Sequence, residues 1–120
     1  MLAMTALQPG ERVLDIACGT GLVTFRAADA VGSTGHVAAS DISEDMVAAV
    51  AASASARGLA GDFRRMDAET LEFPDHSFDA VVCGLGLMYV AEPPTALREM
   101  RRVLRPGGRA CAAVWGARAN

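Results

Sequence analysis

The run Val13-Leu14-Asp15-Ile16-Ala17-Cys18-Gly19-Thr20-Gly21 limits what this chain can fold into more than any other segment. A short apolar stretch carries one acid and then breaks into a glycine-rich turn. A new apolar periodicity starts at once with Leu22, Val23 and Phe25. This is the pattern of a buried parallel strand that turns directly into a helix. Glycine in such a turn lets the main chain approach another group closely, at angles a side chain forbids. The helix that follows points unpaired N–H groups at the same spot.

The same alternation continues along the chain. Arg12 to Ile16 reads as strand one, Leu22 to about Val31 as a helix, and Val37 to Asp41 as strand two. Ser43 is placed to cap a helix that runs to about Arg57 and ends at Gly58, with Glu44 and Asp45 favourable in its first turn. Met46, Val47, Val50, Ala51 and Ala54 would form its apolar face. Phe63 to Met66 reads as an edge strand, because Arg64 and Arg65 interrupt it. Asp67 to Ser77 is irregular, and Phe78 to Cys83 is a fourth, fully buried strand. Pro93 and Pro94 suit a first helical turn. Leu97, Met100, Val103 and Leu104 would be the buried face of that helix, and Arg105-Pro106-Gly107-Gly108 its stop. Strand five would run from Arg109 to Trp115. Strand–helix alternation of this kind implies an α/β fold around a parallel sheet.

Ligands of such sheets bind beyond the carboxyl ends of the strands. The glycine turn, Asp41, Asp67 and Cys83-Gly84 all fall at those ends. Asp41 closes strand two about twenty residues after the turn, the spacing of an acid that holds a ribose. The chain therefore reads as a binder of a nucleotide-type cofactor. A dinucleotide fingerprint would be G-x-G-x-x-G. Here the pattern is Asp15-x-Ala17-x-Gly19-x-Gly21, with no third glycine opening the helix. An acid at that place repels a pyrophosphate and attracts a cation. A ligand carrying an ammonium or sulfonium is favoured, which points to S-adenosylmethionine over a nicotinamide.

On these residues the sequence resembles the class I S-adenosylmethionine-dependent methyltransferases, in the small-molecule branch that includes the ubiquinone and menaquinone biosynthesis type. Ala39-Ser40-Asp41-Ile42-Ser43, Asp67-Ala68, Phe73-Pro74-Asp75-His76-Ser77-Phe78-Asp79 and the run from Leu97 to Gly108 carry the resemblance further, in order and over nearly the whole chain. It implies a Rossmann-like, doubly wound sheet in the order 3-2-1-4-5, with helices on both faces and residues 1–120 as one core domain behind a lead-in of residues 1–10. Asp15, Ala17, Gly19 and Gly21 match the loop that wraps the methionine part of the cofactor. Asp41 matches the acid that grips the ribose hydroxyls, and Ile42 and Met46 match apolar contacts to the adenine. Asp67 matches the acceptor for the adenine amino group, with the Ala68 N–H beside it. Cys83 and Gly84 match the strand end that lines the methionine.

Each position also has a plainer reading. Asp15 could cap a turn, Asp41 could start a helix, Asp67 could be a solvated loop acid and Met46 could be core. Asp79 is expected to tie down a loop. His36 opens a strand at the wrong end of the sheet and His76 sits in a structural turn, so neither is expected to act as a base. Cys18 and Cys83 read as small packed residues. Tyr89, after strand four with Met88, could face an acceptor or fill the core. Arg98, Arg101, Arg102 and Arg105 read as a solvated helix face.

Composition narrows the rest. Net charge is −3 with no basic stripe, which argues against nucleic acid. All eleven basic residues are arginine, so no lysine nucleophile exists. Three cysteines without paired spacing support neither a disulfide framework nor a zinc site, and no metal is expected. No apolar run approaches a membrane span, and Met1 to Gln8 lack a signal-peptide layout, so a cytoplasmic place is the expectation. The cofactor's sulfonium is already activated, so alignment is the protein's main task, and no catalytic residue is assigned. The partner is a small-molecule methyl acceptor of unassigned identity. The resembled family usually has helices before strand one and strands six and seven after strand five, which are missing here. The expectation is a fragment, or a homodimer covering the strand-five edge at Ala112, Ala113, Val114 and Trp115. The other classes are a non-catalytic cofactor-binding or interaction module and, against the glycine spacing, a nicotinamide-dependent reductase.

Overall fold

The computed structural model describes residues 7–16, 22–83 and 93–112. Five strands and three helices follow one another: β1 (Arg12–Ile16), α1 (Leu22–Val31), β2 (His36–Asp41), α2 (Glu44–Ala56), β3 (Asp62–Arg65), β4 (Phe78–Cys83), α3 (Pro93–Val103) and β5 (Leu104–Ala112). The sheet is parallel throughout, in the order β3-β2-β1-β4-β5. The direction of winding reverses between β1 and β4, where Asp15 lies beside Val82 and Ile16 beside Cys83. Such a reversal opens a crevice at the carboxyl ends of the strands.

Strand alternation divides the core between two faces. Val13, Val37 and Ala80 pack with Ala27 and Val31 of α1, and Ala39 packs with Val50 of α2. On the opposite face Leu14, Ile16, Ala38, Val81 and Cys83 meet Met100 and Val103 of α3, together with Leu71, Phe73 and Phe78. The chain is thus a sheet covered on both sides, which is why β1 and β4 are apolar at nearly every position. The Ser43 hydroxyl accepts from the Met46 N–H at 3.3 Å and caps α2. Gly58, at φ +69°, ends that helix in a conformation that favours glycine.

Four expectations change. Leu97 is 48% exposed, while Ala96, Met100 and Val103 are the residues of α3 that face the sheet. The inward stripe runs 96-100-103, and Leu97 lies one position round from it. Met46 is 41% exposed and does not belong to the buried face of α2. The Arg105-Pro106-Gly107-Gly108 segment is not a stop ahead of a separate strand. Leu104 already pairs with Phe78, the ladder resumes at Ala80 with Arg109, and the segment between bulges outward, with Gly107 at φ +83°. Arg102, finally, is not a solvated side chain. Its guanidinium bonds Glu99, Asp75 and the carbonyls of Leu71 and Phe73. Arg105 is exposed but pairs with Asp79. Asp79 also accepts from the Arg12 N–H at 2.8 Å and so ties the starts of β1, β4 and β5 together.

Candidate functional site

The parallel register gathers the expected acids at one edge. Asp15 is the fourth residue of β1, and Asp41 ends β2, opposite Arg65 of β3. The Met66 N–H donates to the Asp41 carbonyl at 3.1 Å, so the ends of β2 and β3 stay joined just before Asp67. Asp15, Asp41, Ile42, Met46, Asp67, Ala68 and Cys83 are thereby placed at or beside the carboxyl edge. Ala17, Gly19, Gly21 and Gly84 lie outside the described residues, as do Cys18, Met88 and Tyr89.

Asp15 is the most unusual group at this edge. It is buried, and the Thr24 hydroxyl of α1 donates to its Oδ2 at 2.6 Å. Among the described residues no guanidinium pairs with it. Burial pushes its carboxyl up to about 7, the Thr24 bond pulls it back in part, and the negative charge of Asp41 adds to the rise. A carboxylate held in this way is short of a cation, and a positively charged group brought next to it would restore the ionised form. Thr24 itself gives no sequence signal. It is a small residue in an amphipathic helix, and only the fold shows that it sits beneath Asp15.

The Asp41 carboxylate accepts from the Ser43 N–H at 3.0 Å, which fixes its orientation at the start of α2. Ile42 follows, 56% exposed, with its carbonyl held by Arg65 Nε at 3.0 Å. Ile42 and Met46 are two of the three large apolar side chains exposed among the described residues. Ile42 precedes the N-cap of α2 and Met46 lies in its first turn, so two exposed apolar residues follow the fixed Asp41 carboxylate closely in the chain. A flat ring with a polyol attached would suit that pairing. Asp67 Oδ1 accepts from the Glu69 N–H at 2.8 Å, and its carbonyl accepts from Thr70 N–H at 2.9 Å, so the residue sits in a tight turn. Ala68 packs partly against the core beneath it. Cys83 is buried in the same core.

A cleft of about 770 Å³ opens at the other edge of the sheet, between the ends of α1 and α2. Its lining includes Phe25, Asp29, His36 and Arg57, with the Arg57 guanidinium 4.0 Å from the centre of the Phe25 ring. It contains none of the expected site residues, and His36 lies there, away from the acids. Burial lowers the affinity of His36 for a proton. His76 is held in a turn at φ 57°. No helix among the described residues is long and apolar enough to cross a membrane.

Known proteins resemble this chain in sequence and in fold. A family model described as "Methyltransferase domain" matches residues 13–108. The 2-phytyl-1,4-naphtoquinone methyltransferase of Synechococcus elongatus is 46% identical over 108 residues, covering 88% of this chain and 46% of that protein. The ubiquinone/menaquinone biosynthesis C-methyltransferase UbiE of Ectopseudomonas mendocina is 44% identical over 110 residues, 90% of this chain and 43% of that one. The chain spans about half the length of these curated relatives. Among solved structures, a SAM-dependent methyltransferase from Aquifex aeolicus superposes with a TM-score of 0.82 at 27% identity, over 88% of this chain and 56% of that one. The [4+2]-cyclase SpnF superposes with a TM-score of 0.79 at 40% identity, over 87% of this chain and 38% of that one.

Proposed function

Because the chain belongs to the class I S-adenosylmethionine-dependent methyltransferase family, we propose that it binds S-adenosylmethionine at the carboxyl edge of its sheet and directs the methyl group to a small, electron-rich ring. The observation that carries this reading is the exposed Ile42–Met46 surface beside the fixed Asp41 carboxylate, one strand away from the buried Asp15. The residues present fit the group. Asp41 would accept from the ribose hydroxyls, Ile42 and Met46 would cover the adenine, and Asp67 with the Ala68 N–H would meet the ring's polar edge. Asp15 would face the cationic methionine end, with Cys83 at the end of the neighbouring strand, and Ala17, Gly19, Gly21 and Gly84 are the other residues that the family resemblance assigns to that end.

The bound sulfonium supplies an activated methyl, so the chain's own task is alignment and exclusion of water. Asp15 contributes by charge: its carboxylate is poorly solvated until a cation arrives, which favours the positively charged form of the ligand over its neutral-sulfur product. That difference drives product release after transfer. Held by Asp15 and Asp41, the cofactor would supply its methyl to a ring carbon of the acceptor, the electron pair of the broken sulfur–methyl bond remaining on sulfur. The ring then loses a proton, and no side chain is assigned to take it. The naphthoquinone and quinone methyltransferases among the relatives support a reduced quinone as acceptor.

Incubation with methyl-labelled S-adenosylmethionine and a demethylated naphthoquinol tests the reading. Label should appear in the quinol in step with S-adenosylhomocysteine. A second reading has a specific observation behind it, since a relative at 40% identity with the same fold is named as a cyclase. In that case the cofactor binds saturably and no label moves. Absence of saturable binding contradicts both.

A further inference from the structure

Glu99 and Arg102 project from α3 into the irregular segment that follows β3, and no role in the site has been given to them. Glu99 Oε1 accepts from the Leu71 N–H at 2.8 Å, and Arg102 Nη2 donates to the Leu71 carbonyl at 2.7 Å. Both polar groups of one buried residue are therefore held by a single helix. Arg102 Nη1 reaches the Phe73 carbonyl at 2.9 Å and Asp75 Oδ1 at 2.7 Å, while its Nε returns to Glu99 Oε2 at 3.0 Å. Arg64 of β3 also meets the segment, its guanidinium 4.9 Å from the centre of the Phe73 ring. The Arg102 hydrogen bond outweighs burial and holds the Glu99 carboxyl below its ordinary range, so the pair stays ionised. The planar fork of arginine makes all these bonds at once, which a lysine cannot do.

What the pair clamps is the exit of a turn that begins at Asp67. The Glu69 and Thr70 N–H groups close that turn onto Asp67, and Leu71 is its next residue. We propose that Glu99 and Arg102 are positioning residues for the adenine end of the cofactor site, setting the place of Asp67 and Ala68 through the Asp67–Leu71 turn. This rests on the cofactor reading above. A shift at Leu71 passes to Asp67 through only four peptide units, and Leu71 is anchored in the core whereas Asp67 is not.

The test compares S-adenosylhomocysteine with S-inosylhomocysteine, whose ring carries a carbonyl in place of the amino group. Dissociation constants are measured by calorimetry for the full chain and for Arg102→Lys and Glu99→Gln. The unaltered chain should prefer the adenosyl ligand by about tenfold or more, since a polar contact is mismatched in the other. Each variant should lose most of that preference, with the ratio falling toward parity. A clamp that only holds the fold would weaken both ligands together and leave the ratio unchanged, and that result overturns the proposal. Amide exchange without ligand gives a second readout, and Glu99→Gln serves if Arg102→Lys does not fold. Glu69, Thr70 and Leu71 should exchange at least about tenfold faster, with Leu14 and Val81 in the central strands unaltered. Unchanged exchange at all three overturns the clamp. Failure of the unaltered chain to bind S-adenosylhomocysteine would instead refute the cofactor reading, and the exchange rates would still judge the clamp.

Discussion

Replacing Asp15 by asparagine should stabilise the ligand-free protein at pH 8 and leave it unchanged at pH 4. The carboxyl is buried among β1, α1 and the sheet, and titrates at about 7 instead of 3.8. The folded chain therefore holds a proton that the unfolded chain has already released between these two values. Stability from this group is fully present below pH 3.8 and is lost as pH rises through about 7. A shift of that size corresponds to up to about 4 kcal/mol. Asparagine has the same shape, its carbonyl can accept the Thr24 hydroxyl, and it does not titrate. Urea unfolding at a series of pH values gives the difference between the two chains directly. It should be near zero at pH 4 and grow to several kcal/mol in favour of Asp15→Asn by pH 8, while groups elsewhere cancel. The same variant should lose most affinity for S-adenosylmethionine. A difference that stays flat across this range would refute the claim that Asp15 is an uncompensated buried acid. A variant less stable than the parent at pH 8 would refute it as well.

Binding should reverse that titration: at pH 6 about one proton is released for each S-adenosylmethionine bound, against almost none at pH 8.5, as a cation at Asp15 drives it to the carboxylate. Calorimetry in buffers of different ionisation heat counts the protons, and apparent affinity should fall by about tenfold per pH unit below 7. Gly35→Ala would put a Cβ 2.5 Å from Val31 Cβ and 2.7 Å from the Glu11 carbonyl. The expected loss in denaturant unfolding is about 1–3 kcal/mol, with cofactor affinity retained because Gly35 lies at the opposite edge. Met100→Ala should lose about 2–5 kcal/mol by the same assay, since the side chain is buried between α3 and the sheet.

The fold was legible where local signals agreed. The bounds of β1, α1 and β4 follow from short apolar runs meeting a glycine turn, and Ser43 and Gly58 mark the limits of α2 through capping chemistry. Arg105-Pro106-Gly107-Gly108 misled because proline and glycine ordinarily break structure, whereas here pairing with β4 tolerates them as a bulge. Leu97 misled because its hydrophobicity outranks that of Ala96, although only Ala96 shares a stripe with Met100 and Val103. The acids at the carboxyl edge could be placed from sequence, since strand direction alone puts them there. Their environment could not. The Thr24 bond to Asp15, the Arg65 hold on Ile42 and the Arg102 bond to Leu71 join residues 9, 23 and 31 positions apart, and no local pattern encodes them.

A cationic adenosyl ligand placed at the edge formed by Asp15, Asp41 and Asp67 should report itself through the amides of that edge. Titration with S-adenosylmethionine, whose sulfur carries the positive charge, followed amide by amide in the NMR spectrum, reads this out. Saturable shifts are expected at Asp15, Asp41, Ile42, Met46, Asp67 and Ala68, with His36, Arg57 and Gly58 of the opposite cleft unmoved. Shifts gathered in that cleft, or a spectrum indifferent to the ligand, would contradict that placement.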